Sequence, residues 1–286
     1  MKLSIKVRDF SRAKIPLVAA LAACQATPVC AEDFALSVSP PRFELHAQAG
    51  KTVRAVAELS NASGLATQLN FATAEWELTP DGGVILSEAL KANSCRPWVA
   101  IERRKATLQA KGLMRYRFEV APPADSAATE CRFAIVVSGT EARVSPGENV
   151  SFPISGQIAI IVYVAIGDVK PELEIVKADV MKINGILTPV LMVKNTGTAH
   201  GRLSAFLSGT DAAGKKREFS PATLPILPGE TRRIALNVDD GSDAIETHGQ
   251  PASAATRSDE ITYPLRIGGT INDFVNSFSF EGVFEP

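Results

Sequence analysis

After residue 31 the chain shows almost no helical periodicity. Short runs of apolar and β-branched residues, often with every second position apolar, recur between clusters of Gly, Pro, Asn, Asp and Ser. The pattern predicts strands in FALSVS (34–39), TVRAVAELSN (52–61), TQLNFATAEWEL (67–78), PWVAIERRKATLQ (97–109), MRYRFEV (114–120), RFAIVVSG (132–139) and VSFPISGQIAIIVYV (150–164). TPDGG (79–83) and APPADS (121–126) have turn composition. Such spacing fits a β-sandwich of about seven strands. The pattern breaks at Gly167, Asp168 and Pro171. A second series then follows in 172–182, 186–197, 201–210, 231–238, 261–269 and 273–284. The predicted architecture is all-β, two tandem immunoglobulin-like sandwiches over 32–167 and 172–286 with a linker at 168–171. Residues 239–260 are small, polar and rich in Gly, Ser and Ala, the composition of a long mobile surface loop.

One segment is out of proportion. Residues 149–167 read NVSFPISGQIAIIVYVAIG. Sixteen or so of them, fully extended, would reach roughly 50 Å, against a usual strand of about five or six residues. The apolar stretch Ile158 to Ile166 falls far short of the roughly twenty residues a membrane helix needs. Val150, Phe152 and Ile154 share one face of such a strand. Ile158, Ile160, Val162 and Val164 share a face that leads into a domain core, and Gly156 is a candidate bend. Pro153 suits an edge strand, because proline cannot donate to a central ladder.

The N-terminus reads as an export signal, residues 1–31. Five cations end at Lys14, an apolar stretch follows, and Val29-Cys30-Ala31 gives a small-x-small cleavage pattern. A rival lies in Leu21 to Cys24, which resembles a lipoprotein box with Cys24 as the acylated residue. No later segment is long and apolar enough to form a membrane-spanning helix. Without the signal, 25 basic and 30 acidic residues remain, a balance with no bulk pull toward nucleic acid. The remaining cysteines are Cys95 and Cys131, and two cysteines in an exported chain suggest one disulfide. Zinc would need more ligands than these and scattered histidines supply.

No constellation points to catalysis or to a cofactor. His46, His200 and His248 have no Ser, Cys or Asp at triad-like spacing, and there is no glycine-rich strand-to-helix loop. Arg103, Arg104, Lys105, Lys111, Arg115 and Arg117 form a basic cluster, with Arg103 and Lys105 expected on one strand face and Arg115 and Arg117 on another. A charged strand face discourages sheet-to-sheet aggregation. Arg42 follows two prolines in SPPRFEL (39–45), within an edge-type strand.

Together, Arg42 after Pro40-Pro41, the ELSN strand end (58–61), LQAKG (108–112) before MRYRFEV, CRFAIVVSG (131–139) and the long alternating strand resemble the periplasmic pilus chaperones of the chaperone–usher family. VLMVKNTG (190–197) and LPILPGE (224–230) are similar to that family's second-domain strand end and proline–glycine turn. The resemblance implies a periplasmic, non-catalytic protein. Its partners would be pilin-like subunits and an outer-membrane usher. It would donate its long strand through Val150, Phe152, Ile154 and Ile158, while Arg42 would help bind a subunit's C-terminal carboxylate. The family's lysine on the long strand is missing, and Gln157 or Ala159 falls near its place. The alternative is a structural surface module, lipid-anchored through Cys24.

Overall fold

The computed structural model describes residues 35–91, 94–144, 151–239, 260–273 and 275–286, with the side chains of 141–144 and 151–154 outside that description. The signal segment with Cys24, Val150, most of the 239–260 loop, and the Phe152 and Ile154 side chains therefore lie outside the described residues.

Among the described residues, ten strands make the first sandwich: β1 (Leu36–Ser39), β2 (Arg42–Ala47), β3 (Val53–Asn61), β4 (Thr67–Leu78), β5 (Val84–Ser87), β6 (Val99–Ile101), β7 (Lys105–Leu108), β8 (Leu113–Val120), β9 (Thr129–Val144) and β10 (Ser151–Ile166). One sheet runs β1-β3-β8-β6, the other β2-β10-β9-β4-β5 with β7 also on β4. Period-two alternation builds the core between them. Leu59 and Ala57 on β3, Tyr116 and Phe118 on β8, Phe133, Ile135 and Val137 on β9, and Ile160, Val162 and Val164 on β10 are all buried in one cluster. Phe71 stacks on Tyr116 at 4.0 Å, and the Tyr116 hydroxyl donates to the Arg103 carbonyl.

The second sandwich holds β11 (Leu173–Ile183), β12 (Ile186–Asn195), β13 (Ser204–Thr210), β14 (Lys216–Pro221), β15 (Thr231–Asp239), β16 (Leu265–Asn272) and β17 (Ser277–Phe284). Strand β15 serves both layers. Its residues 231–235 pair with β12 and its residues 236–239 pair with β14. A separate core of Leu191, Val193, Leu207, Phe219, Ile234, Ile267 and Phe284 fills the space between the layers.

The sequence pattern differs from the structure at several places, among them β9, which runs from Thr129 to Val144 rather than over 132–139. The expected strand 97–109 is two strands. A 3₁₀ turn at Arg96–Trp98 precedes β6 on one sheet, and the chain then crosses to the other sheet as β7. Arg103 lies in that crossing and Lys105 on β7, so they do not share a strand face as expected; Arg103 pairs with Glu102 instead. Strands β5 and β14 had no counterpart in the pattern, because VILS is a short exposed edge and KREFSP is mostly polar.

Candidate functional site

Three places gather the residues singled out by sequence. The first is the long strand. Strand β10 pairs antiparallel with β9 over its whole length, from Ser151 opposite Val144 to Ile166 opposite Thr129, with no slip in register. Gly156 sits opposite Gly139 inside this unbroken ladder, so the expected bend does not interrupt the pairing. On its other edge β10 has a partner only from Ile161 to Ile166, where β2 runs parallel to it. Among the described residues no strand covers that edge from Ser151 to Ile160.

Backbone parity says which groups face this edge. The Ile161 N–H donates to the Pro41 carbonyl and the Gly167 N–H to Ala47, so odd-numbered residues point their backbone toward β2. By the same alternation Ser155, Gln157 and Ala159 turn their N–H and C=O groups to the uncovered edge. Pro153 is odd-numbered too, so its missing N–H falls on that edge and leaves the β9 ladder intact. Ile158 is half-buried against the home core, at the border where the strand leaves it.

The second place is a cleft of about 310 Å³ between the two sandwiches. Arg42 and Glu44 reach it from β2, Glu130 from β9 and Tyr163 from β10, while His200 and Arg202 come from the β12–β13 connection. Arg42 Nε lies 3.0 Å and Arg202 Nη1 2.8 Å from the same Glu44 oxygen, Oε1. His200 Nδ1 is 2.7 Å from Glu130 Oε2, and its backbone N–H donates to Glu130 Oε1 at 3.1 Å. The imidazole stacks on Tyr163 at 3.7 Å, and the Arg202 guanidinium lies over the same ring. The His200 ring beside it, with Arg202 and Arg42 adding their charge, pulls the Glu44 carboxyl down to about 2 against the opposing effect of burial. Burial disfavours the charged imidazole of His200, but the Glu130 and Glu44 carboxylates outweigh it and its pKa lies above the ordinary value. Burial pushes the Tyr163 phenol up to about 12.

Arg42 thus lines the cleft. No cation of β10 accompanies it. Gln157 bonds Ser138 on β9, and Ala159 packs against the opposite face of the sheet. The second cation is Arg202, from the other sandwich. Sequence reasoning missed Glu44, Glu130, Tyr163 and Arg202, and gave His200 no role because it has no triad-like neighbours. The i, i+2 pairs Arg42/Glu44 and His200/Arg202 were the available signal, since each pair shares a face of extended backbone.

The third place is the thiol pair. Cys95 and Cys131 are both buried and unbonded in this structure. Their thiols touch, and the contact with Cys131 together with burial pushes the Cys95 thiol well above its ordinary range.

No family model matches the chain, and no curated protein matches its sequence. Solved structures do. A chain of the Salmonella enterica SafA pilin in complex with the SafB chaperone is 15% identical, with a TM-score of 0.46, over 87% of this chain and 96% of that one. The Pseudomonas aeruginosa CupB2 chaperone is 8% identical, with a TM-score of 0.44, over 87% and 100%. The CsuC–CsuE chaperone–tip adhesion subunit complex of Acinetobacter baumannii includes a chain 15% identical, with a TM-score of 0.41, over 88% and 99%.

Proposed function

We propose that this protein is an exported, non-catalytic chaperone. It would capture pilin-like subunits by lending them the outer edge of β10 and deliver them to an outer-membrane usher from the periplasm. One observation carries this reading. The edge from Ser151 to Ile160 has no strand on it among the described residues, although the same strand is fully paired on its other side. A long uncovered edge invites an added strand, and natural sheets otherwise blunt such edges. The residues implied by the resemblance support it by position. Phe152 and Ile154 lie at the outer end of the strand by their backbone register, and Arg42 stands across from Ile161 at its inner end. At the cleft Arg42 is accompanied by Arg202, so a subunit's carboxylate would compete with Glu44 for two guanidinium groups.

The test uses Gln157→Pro. Proline there removes one outward N–H and narrows the uncovered edge, while the bonds to β9 come from even-numbered neighbours. Tagged protein is recovered from a periplasmic extract and its companions are identified by mass spectrometry. A pilin-like subunit bound one-to-one to the unsubstituted protein, and at least several-fold depleted with Gln157→Pro, is the expected result. Equal recovery with a folded Gln157→Pro protein overturns edge pairing. Fractionation of the protein with membranes, beginning at an acylated Cys24, overturns the exported chaperone in favour of an anchored module.

A further inference from the structure

The ion cluster in the cleft contains a group that can change its charge under mild conditions. Arg202 Nη1 is 2.9 Å from His200 Nε2. Arginine only donates, so at this distance Nε2 accepts, and the imidazole proton sits on Nδ1 facing Glu130. That is the neutral ring. A second proton, on Nε2, would set N–H against N–H. The carboxylate available to it is Glu44, whose Oε1 lies 3.5 Å from Nε2. Arg202 must then turn its Nη1 away from Nε2 while keeping its 2.8 Å bond to Glu44 Oε1. Its Nε is buried with no hydrogen-bond partner, so the guanidinium is not locked by a full set of bonds.

The exchange changes what is tied to what. His200 and Arg202 both belong to the second sandwich, whereas Glu44, Glu130 and Tyr163 belong to the first. The His200–Arg202 bond lies within one sandwich, but a His200–Glu44 bond crosses between the two and would add to the Arg202–Glu44 and His200–Glu130 bonds that already cross. We propose that His200 is a proton-operated clasp, in which protonation of Nε2 trades a bond inside the second sandwich for one that joins it to the first.

The surroundings favour this direction. Strand β2 presents Arg42, Glu44 and His46 to the cleft. Strand β9 presents Glu130, and Arg132 lies close enough to act on the Tyr163 phenol; β10 presents Tyr163 itself. The β12–β13 connection adds Arg202, while the linker and the segment before β17 add only Val169, Pro171 and Val275. Two carboxylates, one of them almost wholly buried, thus flank the ring. The pKa of His200 is raised in the folded protein. The clasp is therefore fully closed below the ordinary histidine value of about 6.5 and loosens as pH rises through the higher folded value. An exported protein meets the pH of its surroundings directly, so the stiffness of the joint would follow that pH.

The test follows the His200 Cε1–H resonance by NMR and the radius of gyration by small-angle X-ray scattering, on the same samples between about pH 5 and pH 9. The unsubstituted protein is expected to expand with a one-proton midpoint that coincides with the His200 titration. His200→Gln should be insensitive to pH, and His46→Gln should behave like the unsubstituted protein. A radius that stays constant while His200 titrates overturns the proposal, as does a pH response that survives in His200→Gln. Should His200→Gln fail to fold, Glu44→Gln serves. It removes the negative charge that favours the second proton, and the midpoint must fall toward lower pH. An unmoved midpoint overturns the clasp.

Discussion

Two buried asparagines show how single residues shape this fold. The Asn61 amide donates to the carbonyls of Leu65 and Gln109, and its oxygen accepts from the Ser63 N–H. Asn195 does the same in the second sandwich, bonding Ala199, Ile226 and the Gly197 N–H. Each ties a strand end to the turn that precedes a neighbouring strand. The turns correspond too. Gly112 bonds Gln109 and Glu230 bonds Leu227, with Lys111 and Gly229 at positive φ in the third position. LQAKG (108–112) and LPG (227–229) are therefore built on a shared backbone device. Cysteines were legible only by number and context. Two in an exported chain suggested a bond, and the fold brings both thiols into one core. We propose a Cys95–Cys131 disulfide, which rests on the proposed export. Closing that loop is worth about 3–4 kcal/mol in the chain-entropy model. The raised Cys95 pKa makes the folded thiol a poor nucleophile, so the bond should form during folding. Thiol counting on unfolded, unreduced mature protein should find none; two would rule the bond out.

Strands were more legible than single residues where one face is buried. The bounds of β4 match its alternating run, 67–78, because Thr67, Leu69 and Phe71 alternate with exposed positions. Strand β14 escaped notice because KREFSP offers the core little beyond Phe219. The long strand was visible as an excess of length, and the structure divides it at about Ile160. Inward of that point its residues are paired on both edges and fill the core; outward they are paired on one. The two parts should answer differently to substitution. Ile160 is wholly buried, so Ile160→Ala should cost about 2–5 kcal/mol in chemical denaturation. Gln157→Pro, three residues away on the exposed part, should change the midpoint little. If Ile160→Ala left stability within about 0.5 kcal/mol, the inner half would not be the core strand described here.

At the scale of the whole molecule, the cleft cluster was illegible because its members are far apart in sequence. Arg202 and Glu44 are separated by 158 positions, and His200 and Glu130 by 70. No local period records such a meeting. The same holds for the apolar patch that joins the sandwiches. Leu227, in the turn of the second sandwich, packs against a cluster of Ala74, Trp76, Ala134, Val136 and Tyr163 on the outer face of the first. Beside it Arg232 donates to the Thr79 carbonyl at 2.9 Å. Leu224 lies so close to Gly82 that a Cβ there would stand 2.7 Å from its methyl group. Turn residues that cap a strand in one sandwich thus also dock it onto the other. Contacts of this kind should make the two unfold together, so calorimetry of the unsubstituted protein should give one transition whose calorimetric and van't Hoff enthalpies agree. Leu227→Ser removes apolar contact worth about 1–2 kcal/mol from the joint and adds a hydroxyl at its margin. Neither core contains Leu227, so the loss should fall on coupling rather than on either sandwich alone. The expected trace is a broadened or split transition, with the calorimetric enthalpy exceeding the van't Hoff value. A single sharp transition displaced to lower temperature would mean that Leu227 supports folding within its own sandwich and that coupling rests on the polar cluster.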